Sequence, residues 1–347
     1  MAYQLDAAKL TIWLTAQFKS IGLNDQSTRH VVESMVSTSL RGVDSHGINL
    51  FPHYHRAIQS ERIKRNPNMQ FHQTAASTGT VDADHAIGHH AGAFAMERAI
   101  ALARESGMSA VGVKDSTHFG AAAYFGLMAA KQDMIGFSFT NADALVKAHG
   151  AKEAFFGTNP ICFCAPLDKE EPFCLDMATS TVSWNKIINL RRENGRAPEG
   201  WAYDAEGNVT TDPNVARSLS PVGGYKGYGL GMMVDVLCSL LVGGLIGKDM
   251  LPMYTSPITA RRRISHFFMV LNIEKFIAPE AFKKNLQQMV DRLRSLAPLD
   301  PDVPVMVAGD PEKRMERHRL TTGIPMDESK FGEYAQIDDG IRDCLVR

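Results

Sequence analysis

The chain has 347 residues, 44% of them hydrophobic and 22% charged, which is enough for one large domain or two ordinary ones with a substantial core. Lys plus Arg number 37 and Asp plus Glu 38, so the formal charge of −1 excludes a global electrostatic grip on nucleic acid or on an anionic membrane. High apolar content with so little net charge also excludes disorder along the whole chain.

The first residues, Met-Ala-Tyr-Gln-Leu-Asp, lack the basic and apolar regions of a secretory signal. Asp6 is placed to cap a helix carrying Leu10, Trp13, Leu14 and Phe18 at helical spacing, stopped by Gly22. Asn24 or Asp25 starts a second helix with Val31, Val32, Met35, Val36 and Leu40, and Gly42 ends it. Irregular chain follows from Val43 to Tyr54.

From about Thr78 the texture alternates. A helix over 88–104, a strand over 110–113, a helix over 121–131 and a strand over 135–139 suit a crossover unit. Further strands are predicted over 161–165, 173–175, 267–273 and 303–307, and helices over 183–192, 228–242, 279–295, 311–319 and 328–337. The stretch 198–224, rich in Pro, Asp and Gly, reads as a long excursion over the surface. Segment 227–247 approaches bilayer length with Asp235 as its only charge. Its six glycines and the absence of partner spans favour a buried core helix ending near Val242.

The order of elements predicts a mixed α/β (α+β) fold. Helices from residues 1–75 and 313–347 are expected to pack together against a central α/β region spanning 76–312. The cysteines at 162, 164, 174, 238 and 344 are odd in number and form no CxxC pair, so they read as reduced, buried thiols of a cytoplasmic protein. No His, Asp or Glu spacing supports a metal.

GxGxxG after a strand and GxxxxGK[ST] are both missing, which removes the two common nucleotide folds. HExxH is missing too, and His89-His90 opens an ordinary amphipathic helix, where a structural role is the default. Four constellations remain. In Asp44-Ser45-His46-Gly47 a hydroxyl adjoins an imidazole in a Gly-flanked loop, so His46 is either an exposed acid or base or a loop histidine satisfied by backbone. Ser116-Thr117-His118-Phe119-Gly120 follows a strand end, where ligands gather, and His118 reads equally as proton carrier or core residue.

Gly223-Gly224-Tyr225-Lys226-Gly227-Tyr228-Gly229 leads into an apolar helix, a setting that offers backbone N–H groups and a positive charge to an anion such as pyrophosphate. The alternative is a packing turn with Lys226 in solvent. Gly157-Thr158-Asn159-Pro160 and Asp176-Met177-Ala178-Thr179-Ser180 each adjoin a short strand and offer hydrogen-bonding groups.

Taken in this order, RGVDSHGI at 41–48, STHFGAAAYF at 116–125, FGTNP at 156–160, DMATS at 176–180 and GGYKGYGL at 223–230 resemble the family of NAD(P)-dependent malate, L-lactate and ureidoglycolate dehydrogenases. The resemblance implies a nucleotide-binding fold of the family's own, unrelated to the Rossmann domain, which accounts for the missing GxGxxG. It implies a homodimer, NAD or NADP as cofactor and a small 2-hydroxy or 2-oxo acid as substrate. It further implies that His46 and His118 are the active-site histidines, with Ser45 and Tyr54 beside the substrate. Asp176, Met177 and Ala178 then match a cofactor-binding segment, Lys226 a lysine that contacts the dinucleotide, and Gly309, Asp310 and Pro311 a cofactor loop. Reduction of a ketone needs a proton for the developing alkoxide, which an imidazole titrating near neutrality can carry either way.

Four positions depart from the family pattern. Leu50 stands where members commonly carry a carboxylate-binding arginine, which leaves Arg56 and Lys147 as candidate substitutes. Lys147 and His149 bring titratable groups where relatives are mostly neutral, and Asn185 stands where a glycine is frequent. A cyclic imino acid reductase on the same framework and a non-catalytic nucleotide-binding relative are the alternatives.

Overall fold

The computed structural model describes residues 2–346 and centres on a seven-stranded sheet. Its strands lie in the order Gln70–Ala75, Thr78–Asp82, Met108–Ser116, Ile264–Asn272, Met134–Thr140, Ile161–Ala165 and Phe173–Met177. Thr78–Asp82 and Met108–Ser116 are parallel and joined by the helix Gly88–Ser106, a true crossover. All other neighbours are antiparallel. Met108–Ser116 and Met134–Thr140 flank Ile264–Asn272 and therefore run the same way, with the helix Ala123–Ala130 between them in sequence. The expected strand–helix–strand unit exists, but a strand from much later in the chain is inserted into it. The mixed α/β class holds.

Local chemistry explains the first helices. The Asp6 carboxylate accepts from Lys9 N at 2.9 Å, and Asn24 Oδ1 accepts from Ser27 N at the same distance, each satisfying a free donor of the first turn. The chain ends meet through the pairing of Ala2–Leu5 with Ile324–Asp327. Leu10, Trp13, Phe18, Met35, Phe51 and Tyr334 join in one core built from both ends of the sequence. Trp13 stacks on Tyr334 with ring centroids 5.6 Å apart, and its Nε1 donates to Asp338 at 2.8 Å. A second core lies beneath the sheet, where a Cβ at Gly92 would approach the Phe125 ring to 2.6 Å. Only glycine lets that helix pack so closely.

Three expectations need correction. Residues 303–307 form no strand, because Pro301 and Pro304 remove two backbone donors and the segment runs exposed into the turn at Gly309. Stretch 198–224 is more than a surface excursion. Ala202–Tyr203, Val209–Thr210 and Ser218–Leu219 join Val146–Lys147 and Ala154–Phe156 in a small sheet over a cluster that includes Ile187, Ala202, Ala216 and Leu219.

The third concerns the apolar helix, which spans Tyr225–Cys238 and continues as a single turn over Leu240–Val242. It is not a buried core helix of this chain. Gly227, Gly231, Val234, Asp235 and Cys238 face inward, whereas Leu230, Met232, Met233, Val236, Leu240 and Leu241 are exposed. An all-round apolar helix needs cover on two sides, and this chain supplies one. Tyr225–Val242 is long and apolar enough to cross a membrane by length and composition. Asp235 within it is buried, accepting from Ser239 Oγ and Gly247 N, both at 3.3 Å.

Candidate active site

A cleft of about 2030 Å³ opens between the helical layer and the sheet, and it is lined by Ser45, His46, His118, Asp176 and Gly309 among others. The loop that carries His46 is set by its surroundings. Gly42 ends the preceding helix at a φ of +82°, a conformation suited to glycine. Arg319, from the helix Asp310–Thr322, grips both oxygens of Asp44 at 2.5 and 2.9 Å and also donates to Ser39 O at 2.5 Å. A Cβ at Gly47 would overlap Ser39 Oγ, which accepts from Ile48 N at 2.9 Å. Ser45 Oγ then lies 2.8 Å from His46 Nδ1.

His118 follows the strand Met108–Ser116. Its neighbour Thr117 is buried, accepting from Gly88 N at 2.9 Å and donating to Ala86 O at 3.1 Å. Tyr54, from the helix Phe51–Gln59, places its hydroxyl 2.7 Å from His118 Nδ1. Burial lowers the titration of His118 well below 6.5, and nearby His46, His89 and Arg262 lower it further. Burial lowers His46 as well. Tyr54 is raised well above 10 by burial and by Tyr254, so its phenol keeps its proton. Both imidazoles are therefore neutral at pH 7, each with Nδ1 against a hydroxyl and Nε2 left for a ligand.

Other histidines serve the core. His266 is fully buried, with Thr140 Oγ1 at 2.7 Å from Nδ1 and Ser116 Oγ at 2.8 Å from Nε2, and it stacks on Phe119 at 4.7 Å. His89 is also fully buried, edge-on to Tyr54 at 5.1 Å, and neither ring nitrogen has a partner among the described residues. Burial pushes both rings down to about 3. His90 accepts or donates at 2.8 Å with Ser27 Oγ.

Asp176, Met177 and Ala178 line the cleft at the sheet edge. Asp176 Oδ2 accepts from Ala123 N at 2.7 Å, at the start of the helix Ala123–Ala130. The carboxyl opens to the cleft, yet the surrounding walls raise it to about 7, with Cys174 adding to the rise and the Ala123 bond opposing it. Gly309 and Pro311 line the same cleft. The Asp310 carboxylate does not, because Arg294 binds it at 2.5 and 3.0 Å and Val307 N donates to it at 3.0 Å. That arginine also pairs with Glu170 at 2.6 Å, and Glu170 with buried Lys313 at 3.0 Å, so Asp310 anchors the loop.

Lys226 sits exposed on the first turn of Tyr225–Cys238, outside the residues that line the cleft. Beside that turn, Lys147, His149, Gly223 and Gly224 line a separate pocket of about 290 Å³. Lys147 lies over the Tyr203 ring at 4.3 Å, and Arg56 is exposed on its helix, so neither reaches the cleft as a carboxylate partner. Arg262 lines the cleft instead. It is buried, paired with Asp143, and donates from Nε to Leu251 O at 2.8 Å. Sequence reasoning missed it because Arg261-Arg262-Arg263 reads as a solvated charge run, and only the middle residue turns inward. Asn185 lines the cleft and donates to Ser45 O at 3.4 Å.

The five cysteines are free and buried. Cys162 and Cys164 share one strand face, with sulfurs 3.6 Å apart, and Cys174 lies 3.4 Å from Cys164.

Residues 5–333 match the family model described as malate/L-lactate dehydrogenase. The malate dehydrogenase of Pyrococcus horikoshii is 34% identical over 340 residues, covering 95% of this chain and 93% of that protein. Its solved structure superposes with a TM-score of 0.87, covering 98% and 96% of the two chains. The ureidoglycolate dehydrogenase (NAD(+)) of Escherichia coli K12 is 33% identical over 303 residues, 87% of this chain and 86% of that one. The structure of delta1-piperideine-2-carboxylate reductase from Pseudomonas syringae is 25% identical with a TM-score of 0.86, covering 96% and 99%. With sequence matches of this length and a shared fold, the chain belongs to the malate/L-lactate dehydrogenase family of oxidoreductases.

Proposed function

We propose that the protein interconverts a small 2-hydroxy acid and its 2-oxo acid with NAD or NADP, with His118 as the proton carrier and His46 and Ser45 beside the reacting carbon. The observation that carries this reading is the pair of hydroxyl-held imidazoles at 5.6 Å in one cleft with Asp176. A neutral His118 accepts the hydroxyl proton of the alcohol at Nε2, and Tyr54 holds Nδ1 so that the ring cannot turn. In the reverse direction the same nitrogen returns the proton to the alkoxide. Arg262, whose Nη1 has no protein partner among the described residues, is the cation for the substrate carboxylate.

The cleft suits a dinucleotide. Ala121, Ala122, Ala178 and Ala308 put short side chains on its walls and leave room for a flat ring, and Asp176 offers a carboxylate to sugar hydroxyls. When bound, the nicotinamide ring supplies or takes the hydride. Met177, Ala178, Gly309 and Pro311 would hold it within the cleft, and Lys226, outside the cleft lining on the first turn of Tyr225–Cys238, would meet its phosphates only where they extend beyond that lining. Two separate cores support reading 1–75 with 313–347 as one body against 76–312. The uncovered face of Tyr225–Val242 supports a homodimer, and the free thiols support a cytoplasmic setting.

Pure protein incubated with NADH or NADPH and 2-oxo acids should consume reduced cofactor. Consumption with a cyclic imine and with none of the 2-oxo acids would instead favour the imino acid reductase reading, which the likeness to the Pseudomonas reductase supports. Failure of either cofactor to bind would remove both.

A further inference from the structure

Resting on the 2-oxo acid reading, we infer that the preferred substrate has a single carboxylate and an apolar side chain, and that a second anionic group is rejected. Charge and shape around Tyr54 and His118 carry this. Arg262, which lines the cleft, is the one lysine or arginine among the described residues that acts electrostatically on both of them. Its charge is already balanced by Asp143, and its Nε is taken by Leu251 O, which leaves Nη1 for one carboxylate. Most other cations of the cleft are committed elsewhere: Arg29 donates to Gln26 Oε1 at 3.0 Å and Lys186 lies over the Trp201 ring at 5.6 Å, while Lys131 is exposed just past the helix Ala123–Ala130. Arg41 pairs with Glu316 at 3.3 Å, Arg191 donates to Pro213 O and Ala216 O at 2.5 and 3.0 Å, and Arg217 donates to Asn214 O at 3.1 Å.

The remaining surface is apolar or aromatic. Leu50 lies one helical turn before Tyr54, belongs to the core shared by the termini and lines the cleft. Met253 packs on the same core and also lines the cleft. Tyr254 sits edge-on to His53 at 5.5 Å, close enough to Tyr54 to raise its titration. A dicarboxylate bound here would bring two negative charges to a site whose arginine is already neutralised, and its distal group would lose water against Leu50 and Met253 with no partner. An aliphatic side chain gains about fourfold in affinity for each methylene buried there.

The test compares kcat/KM for 4-methyl-2-oxopentanoate, pyruvate and oxaloacetate with whichever reduced cofactor the enzyme consumes. We expect 4-methyl-2-oxopentanoate to exceed pyruvate at least tenfold and oxaloacetate at least a hundredfold. Oxaloacetate equal to or better than 4-methyl-2-oxopentanoate overturns this inference and leaves the 2-oxo acid reading standing. Turnover of none of the three removes both. Because Leu50 packs in a core, the wild-type ratio is decisive by itself. Leu50→Arg, provided its circular dichroism matches wild type, should move that ratio at least tenfold toward oxaloacetate, and an unmoved ratio counts against Leu50 as the discriminating contact.

Discussion

His46 and His118 lie ring against ring, with centroids 5.6 Å apart and planes 29° from parallel. They come from segments 72 positions apart. Each holds its Nδ1 to a hydroxyl, and both hydroxyls, Ser45 for His46 and Tyr54 for His118, come from the segment that carries His46. Two imidazoles this close repel if both are charged, so at most one carries a proton beyond neutrality during the reaction.

Replacement of His118 by Ala should lower kcat about 10²- to 10⁴-fold with the far-ultraviolet circular dichroism unchanged. His46→Ala should also lose most turnover. Near-wild-type rates in both variants would remove the acid–base assignment.

The pH dependence has a definite sign. A His118 titration held below 6.5 keeps the base neutral as pH falls to that value, so kcat/KM for the hydroxy acid should turn down only at lower pH. An acidic limb centred at 7 or above would contradict this. Stability moves in the same sense. His30, His53 and His90 are lowered to about 4, and His89 and His266 to about 3, mainly by burial. Below 6.5 the unfolded chain binds protons that the folded one refuses, so stability is fully present above 6.5 and is lost as pH falls toward 4 and 3. Thermal melts between pH 7 and 4 should show a falling Tm, and a flat profile would disprove it.

Arg319→Ala removes the fork on Asp44 and should cost about 2 kcal/mol in urea unfolding, with a lower kcat because the His46 loop is released. Arg319→Lys should recover part of the stability and less of the rate, since an ammonium cannot grip both oxygens. Equal recovery of both would argue against a positioning role.

Lys226→Ala should raise the cofactor Kd about tenfold and leave the circular dichroism unchanged. Unchanged affinity in a fluorescence titration would place the phosphate contacts elsewhere.

The double variant Met233→Glu, Leu241→Glu puts two charges on the uncovered helix face. Sedimentation should show a dimer for the wild type and a monomer for the variant. A monomeric wild type would remove the homodimer reading.

Much of the local architecture was legible because its causes are local. Asp6 and Asn24 cap the helices expected of them, and 328–337 is a helix with the predicted bounds, since capping and apolar spacing act over a few residues. The strand at 303–307 failed because a strand needs a partner as well as a pattern. The insertion of Ile264–Asn272 into the crossover unit was equally invisible, because ladder pairing over such separations leaves no mark in either segment.

By itself the sequence determined the class of fold, the capped terminal helices, and the loops that hold His46, His118 and the Asp176 segment, because those depend on residue identity and short-range spacing. Only the tertiary structure decided which side chains share the cleft. It turned Arg262 inward from a run of three arginines, tied Asp310 to Arg294 and away from the cleft, and left Lys147 over Tyr203. It also uncovered one side of a helix that reads as core. Burial and charge pairing are set by contacts between distant segments, and no local pattern records them.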